Sequence, residues 1–180
     1  MILDSLTVED ARLAYSAIRL AQPGGMGQVS QADIAMEPAI TLRQAMALAQ
    51  DRDAVAREYM TDFAITFETG LPALKEAQSH SGELTSAIVQ TFLTLLSGIP
   101  DTLIARKRGF EEARRISQMA GEALRRGGIF APEGRAALEE MDCFLRDANH
   151  TLNPGTTADL TAAAIFLALL EIPALADPGA

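Results

Sequence analysis

Tryptophan is absent from this chain, and cysteine occurs once, at Cys143. A single thiol cannot close a disulfide within the chain, so a cross-linked scaffold is excluded and a reducing compartment fits. Aromatic residues make up only 5% of the 180 positions. β-Branched residues are also sparse beside alanine and leucine, a balance that disfavours sheets and favours helices. Positive charge is in deficit: the formal net charge is −9, which argues against a general nucleic-acid binder. The longest apolar stretch, Leu160 to Ile172, is about a dozen residues, short of the ~20 that a spanning helix needs. The start, Met1-Ile2-Leu3-Asp4-Ser5, lacks the basic and apolar regions of an export signal. These absences predict a cytoplasmic chain with neither membrane nor nucleic acid as partner.

What is present is helical periodicity. At 48% hydrophobic content the chain can bury one substantial core, and one domain over 1–180 is the expectation. Thr7 with Asp10 three residues on marks a helix start, and Val8, Ala11, Tyr15 and Ile18 recur at helical spacing to about residue 21. Residues 23–40 read as an irregular connection opened by Pro23-Gly24-Gly25-Met26-Gly27. Thr41-Leu42-Arg43-Gln44 is a capping box for a helix to about Gln50. A further helix is expected from Asp51 to Thr69, with Gly70 as its stop and Asp53–Arg57 as a surface pair. A short helix over 71–77 follows, and Ser81 opens the next, which Gly98 closes. Asp101 restarts a helix that Gly109 bends. Phe110 to Arg126 and Pro132 to Asp147 form two more, the latter carrying Cys143 as a core residue. A final alanine-rich helix begins near Thr157, with Ala162, Ala163, Ala164 and Ala168 as packing positions. No strand alternation or fixed-period repeat occurs, so the fold class is all-α: a helical bundle or orthogonal helical array with no sheet.

Three segments could carry chemistry; in the run Asp51-Arg52-Asp53 with Arg57 and Tyr59, a catalytic or ligand-contacting role for Asp51, Arg52 or Tyr59 is open but not required. Asn153-Pro154-Gly155-Thr156-Thr157-Ala158-Asp159 joins a tight turn to a helix start, where free amides and the helix dipole favour an anion. Asp159 either caps its own helix or meets a cation or metal at the mouth of a very apolar helix. Asp101-Thr102-Leu103-Ile104-Ala105-Arg106-Lys107-Arg108-Gly109 places a carboxylate and three cations on one short helix. The cations either grip phosphate oxygens or form a solvated basic cluster. The loop at Gly24 and Gly25, with Arg19 one turn upstream, lets backbone approach a ligand, but its spacing matches no dinucleotide fingerprint or P-loop. His80 and His150 have no ligand partner at metal-binding spacing, and no serine sits in a nucleophile elbow.

Taken together and in order, these segments resemble the triphosphoribosyl-dephospho-CoA synthase family. Asn153 to Leu160 is similar to its terminal motif, and Asp101 to Gly109 to its preceding Asp-to-Arg segment. Ala17 to Gly27 is similar to its Pro-Gly-Gly loop in the branch found with one-carbon, methanopterin-type metabolism. The resemblance implies an all-helical transferase acting on ATP and 3′-dephospho-CoA, or a related phosphorylated acceptor. The triphosphoribosyl group of ATP moves from adenine to an acceptor hydroxyl. On that reading Asp101 and Asp159 are catalytic and hold Mg²⁺. Arg106, Lys107, Arg108, Asn153, Gly155, Thr156, Thr157, Gly24, Gly25 and Arg19 bind substrate or phosphate. Family members are longer at the amino end, so residues 1–180 are expected to be the carboxy-terminal portion of the architecture. A homo-oligomer or a separate amino-terminal polypeptide would then complete it. The alternative is a non-catalytic helical interaction or scaffold module.

Overall fold

The computed structural model describes residues 2–21 and 28–171, with Glu171 described by its backbone alone. Every regular element among these residues is helical, as the composition predicts. Where one domain was the expectation, the chain gathers into two compact units, Met1–Phe63 and Ala64–Ala180.

The first unit contains α1 (Ile2–Ser5), α2 (Val8–Ala21), α3 (Leu42–Ala49) and α4 (Ala54–Met60). Its helix starts are local devices. The Thr7 hydroxyl accepts from the Asp10 amide while the Asp10 carboxylate accepts from the Thr7 amide at 2.7 Å. Thr41 and Gln44 form the expected reciprocal capping box. Asp53 caps α4, accepting from the Val55 and Ala56 amides, and Arg57 donates to the Gln50 carbonyl. The helix expected over 51–69 is broken. The Phe63 amide reaches back to the Glu58 carbonyl at 2.8 Å, and Asp62 and Phe63 both take positive φ. That is a Schellman-type closure made without glycine.

The second unit begins with a π-helical turn, Ile65–Gly70, that runs directly into α5 (Leu71–Ser81). Gly70 is therefore not a stop: its φ is −65°, and a Cβ there would lie 3.0 Å from the Cβ of Ala164. Its role is close helix packing. Ser81 closes α5 instead of opening a helix, and Gly82 provides the left-handed exit. Next come α6 (Leu84–Gly98), α7 (Thr102–Arg108), α8 (Phe110–Arg125), α9 (Pro132–Leu145) and α10 (Gly155–Glu171), with a 3₁₀ turn at Gly128–Phe130. Pro100 separates α6 from α7, which meet at 55°.

One core cluster joins Leu93 and Leu96 of α6, Ile104 of α7, Ile116 and Ala120 of α8 and Met141 of α9. A second joins Leu71 and Leu74 of α5 to Ala87 and Ala168. Each large side chain so buried stabilises by ~1.5–3 kcal/mol. The final helix is less enclosed than its composition predicts. Ala164 and Ala168 are buried, whereas Ala162 is exposed, as are Phe166 and Leu170. Cys143 is also exposed, on the outer side of α9, and not a core residue. No single helix among the described residues is long and apolar enough to cross a membrane.

Candidate functional site at the starts of two helices

Two of the three chemically suggestive segments meet inside the second unit. Asp101 is the N-cap of α7: its Oδ1 accepts from the Leu103 and Ile104 amides at 2.9 and 3.1 Å. Its other oxygen, Oδ2, reaches across to α10 and accepts from the Thr157 amide at 2.8 Å and the Thr157 hydroxyl at 2.9 Å. One carboxylate, 1% exposed, thus serves the first turns of two helices that lie more than fifty residues apart in sequence. Both helix dipoles present their positive ends to it, which is where a buried anion is best accommodated.

The link is reciprocal. Thr156 Oγ1 accepts from the Leu103 amide at 3.2 Å, and the Thr102 and Thr156 hydroxyls lie 3.1 Å apart. Thr102, Thr156 and Thr157 are all buried. A Cβ at Gly155 would come within 2.6 Å of Leu103 Cδ2, the tip of a flexible side chain that would have to turn aside. Of the amides expected to cradle an anion at Gly155-Thr156-Thr157, that of Thr157 donates to the chain's own Asp101 carboxylate and that of Gly155 donates to the Asn153 carbonyl. Thr102 and Leu103 complete this junction although sequence reasoning gave them no part. A threonine after a capping aspartate carries no local sign of a partner more than fifty residues away.

Around the buried junction the described charged groups are exposed. Arg106, Lys107 and Arg108 occupy the last turn of α7 and all face outward. Asp159 is exposed near the start of α10. Asn153 is exposed beside buried Pro154. The loop before it is organised by Asp147, which accepts from the Thr151 amide and hydroxyl at 2.7 and 2.8 Å and from the Leu152 amide. Burial pushes the Asp147 carboxyl up, but the bonds from Thr151 and Leu152 outweigh it and hold the group below the ordinary carboxylate range. Among the described residues no group of three or more His, Cys, Asp or Glu side chains is placed to hold a metal ion.

The third segment belongs to the first unit. Gly24 and Gly25 lie outside the described residues. Arg19 donates to the Ile34 and Met36 carbonyls at 3.0 and 3.3 Å, pinning the following loop. The Tyr15 hydroxyl donates to the Ala32 carbonyl at 2.9 Å. Burial, then the nearby Asp33 charge, pushes the Tyr15 hydroxyl pKa up.

A family model described as CitG, ATP:dephospho-CoA triphosphoribosyl transferase, matches residues 1–176. A protein of Malonomonas rubra assigned as a 2-(5″-triphosphoribosyl)-3′-dephosphocoenzyme-A synthase is 35% identical over 101 residues, 56% of this chain and 31% of its own length. A Klebsiella pneumoniae protein named as the same synthase is 32% identical over 105 residues, 58% of this chain and 34% of its own. A crystal structure from Archaeoglobus fulgidus, of a protein assigned as a triphosphoribosyl-dephospho-CoA synthase, superposes with a TM-score of 0.70 at 32% identity. The match covers 94% of this chain and 69% of that one. The chain spans roughly a third of the length of the curated relatives at Malonomonas and Klebsiella, and 55% of one from Pseudomonas savastanoi.

Proposed function

Because the chain belongs to the CitG family of ATP:dephospho-CoA triphosphoribosyl transferases, we propose that it works in transfer of the triphosphoribosyl group from ATP to 3′-dephospho-CoA or a related acceptor. The bond from ribose C1′ to adenine breaks and a bond from C1′ to an acceptor hydroxyl oxygen forms. The hydroxyl proton leaves with adenine. The observation that supports this reading is the junction at Asp101, which joins two of the segments on which the resemblance rests, with the charged groups of Arg106, Lys107, Arg108 and Asp159 exposed.

The residues divide by exposure. Buried Asp101, with Thr102, Thr156 and Thr157, positions the two helix starts. Arg106, Lys107 and Arg108 bind phosphate oxygens, the arginines by paired N–H donors and the lysine as a point charge. Exposed Asp159 either supports the positive charge that develops at ribose C1′ or takes the Mg²⁺ that comes with the triphosphate. Both oxygens of Asp101 already accept two donors each, so the donor set does not fit a caged ion. It fits Mg²⁺ that arrives on the triphosphate and takes one carboxylate, Asp159, in line with the ion's habit of keeping water and phosphate ligands. When bound, that ion neutralises phosphate charge. Asn153 serves as a further substrate contact. Similarity at the loop of Gly24 and Gly25 favours the branch found with one-carbon metabolism, and the setting we propose is cytoplasmic. A second copy or a separate polypeptide completes the site on this proposal.

Thermal melting with and without Mg-ATP tests the reading. A ligand at a hundredfold over its Kd adds ~2.7 kcal/mol, and Asp159→Asn should remove that gain while the chain still folds. Exchanging Arg106 and Arg108 for Gln should weaken triphosphate binding more than adenosine binding. An unchanged melt at millimolar Mg-ATP, or equal loss of both ligands in the arginine variant, would count against the proposal.

A further inference from the structure

The α9–α10 loop borders an open cleft of about 580 Å³ whose chemistry differs from that of the cationic turn of α7. Its floor is apolar: Phe92 of α6, Leu138, Met141 and Leu145 of α9, and Pro154. Its rim is polar, formed by Asp142, Arg146, Asp147, His150 and Asn153. The volume lies within the range of small-molecule sites, which combine apolar walls with a few convergent polar groups.

The charges on the rim select the kind of ligand. Arg146 is the only permanent cation there, and its guanidinium is already joined to Asp142 at 2.6 and 3.1 Å. Asp147 adds a second carboxylate, so the rim is net negative. A triphosphate placed here would meet repulsion and no available cation. A neutral, flat molecule with an apolar face and hydrogen-bonding edges would meet none. The apolar floor can take the face of a purine. The Asn153 amide offers one acceptor and two donors to its edge. The carboxylates of Asp142 and Asp147 have lone pairs left for sugar hydroxyls. Asn153 also stands two residues before the start of α10, so this cavity and the Asp101 junction share one loop.

We infer that this cavity is a nucleoside pocket that holds the adenosine moiety of a substrate, apart from the cations that bind its phosphates. The inference rests on the function proposed above and assigns a subsite to Phe92, Leu138, Met141 and Asn153. Both substrates of the reaction contain adenosine, so the shared chemistry does not by itself say which one occupies the pocket.

Calorimetric titration of the 180-residue chain with adenosine and, separately, with magnesium tripolyphosphate tests it. Leu138→Trp fills the cavity from its half-buried wall, and Asn153→Ala trims an exposed rim residue with little risk to folding; circular dichroism checks both. Adenosine binding should fall roughly tenfold in Asn153→Ala, the loss expected for hydrogen bonds to a neutral amide, and vanish in Leu138→Trp. Tripolyphosphate binding should be unchanged in both. If Leu138→Trp does not fold, the Asn153→Ala result decides. Titrating ATP and dephospho-CoA into the variants then identifies the source: the occupant is whichever loses affinity. Undiminished adenosine binding in the folded variants overturns the pocket, as does tripolyphosphate binding without adenosine binding, and both leave the proposed function standing. Failure of both probes to bind the native chain defeats the function and the pocket together.

Discussion

Asp101 and Asp33 do the same chemical job in opposite settings. Each is a carboxylate that gathers backbone amides. Asp33 accepts from Val29 and Ala35, at most four residues away, on the surface of the first unit. Asp101 accepts from its own helix and from Thr157, fifty-six residues on, and is fully enclosed. Water can replace what Asp33 supplies. Nothing can replace what Asp101 supplies without rearranging two helices. The first arrangement shapes a loop and the second holds two helix starts in register, so the two should respond very differently to loss of the carboxylate.

The largest effect is expected at Asp101. Replacing it with Ala strands the Ile104 amide and the Thr157 amide and hydroxyl in a buried place, and each unpaired donor costs ~1–3 kcal/mol. Urea unfolding should show a loss of about 3–5 kcal/mol. A loss under about 1 kcal/mol would mean that water enters the junction and that the contrast with Asp33 is false.

Gly155 gives the intermediate case. Gly155→Ala drives a methyl toward Leu103 Cδ2, and the leucine tip must move aside. Overpacking of this kind costs about 1–3 kcal/mol. Adding Leu103→Ala to the same chain should recover part of that loss, as a double-mutant cycle would register. Strict additivity would show that the two groups do not meet.

Acidification gives the smallest effect. The Val29 amide first, then the Ala35 amide, holds the Asp33 carboxyl below its ordinary value of 3.8. A carboxylate with a lowered folded-state pKa stabilises above its unfolded value, and that contribution is lost as pH falls through the folded value. The protection factors of the Val29 and Ala35 amides, which correct for the pH dependence of intrinsic exchange, should therefore fall only below about pH 4. A fall that begins near neutrality would assign the loop to a different titrating group.

The same contrast explains how much of the molecule is legible in its sequence. Local devices are written in adjacent residues: the Thr7–Asp10 and Thr41–Gln44 boxes, the helix start at Asp101, and Pro132 opening α9 all stand where spacing places them, whereas Asp53, read as one half of a surface pair, is a cap. What spacing cannot show is what a residue meets across the fold. Gly70 looks like a stop, but Ala164 demands a glycine in mid-helix. Cys143 sits among apolar neighbours in sequence, yet helical rotation turns it outward. Asp101 and Thr157 were both visible as features of the chain, and family resemblance placed them in one site. Their direct bond, which takes up one amide of the helix-start cradle, required coordinates. Phe92, Leu138 and Met141 carry no motif at all and read as core, so a cavity among them could not be anticipated.

The most direct measurement is an amide NMR titration of the chain with Mg-ATP. The account predicts saturable shifts confined to 102–108 and 153–159, with the walls of the α9–α10 cavity responding whenever the nucleotide carries its base. Shifts that avoid both segments, or none at millimolar nucleotide, would contradict the claim that the junction held by Asp101 is where this family's nucleotide chemistry is organised.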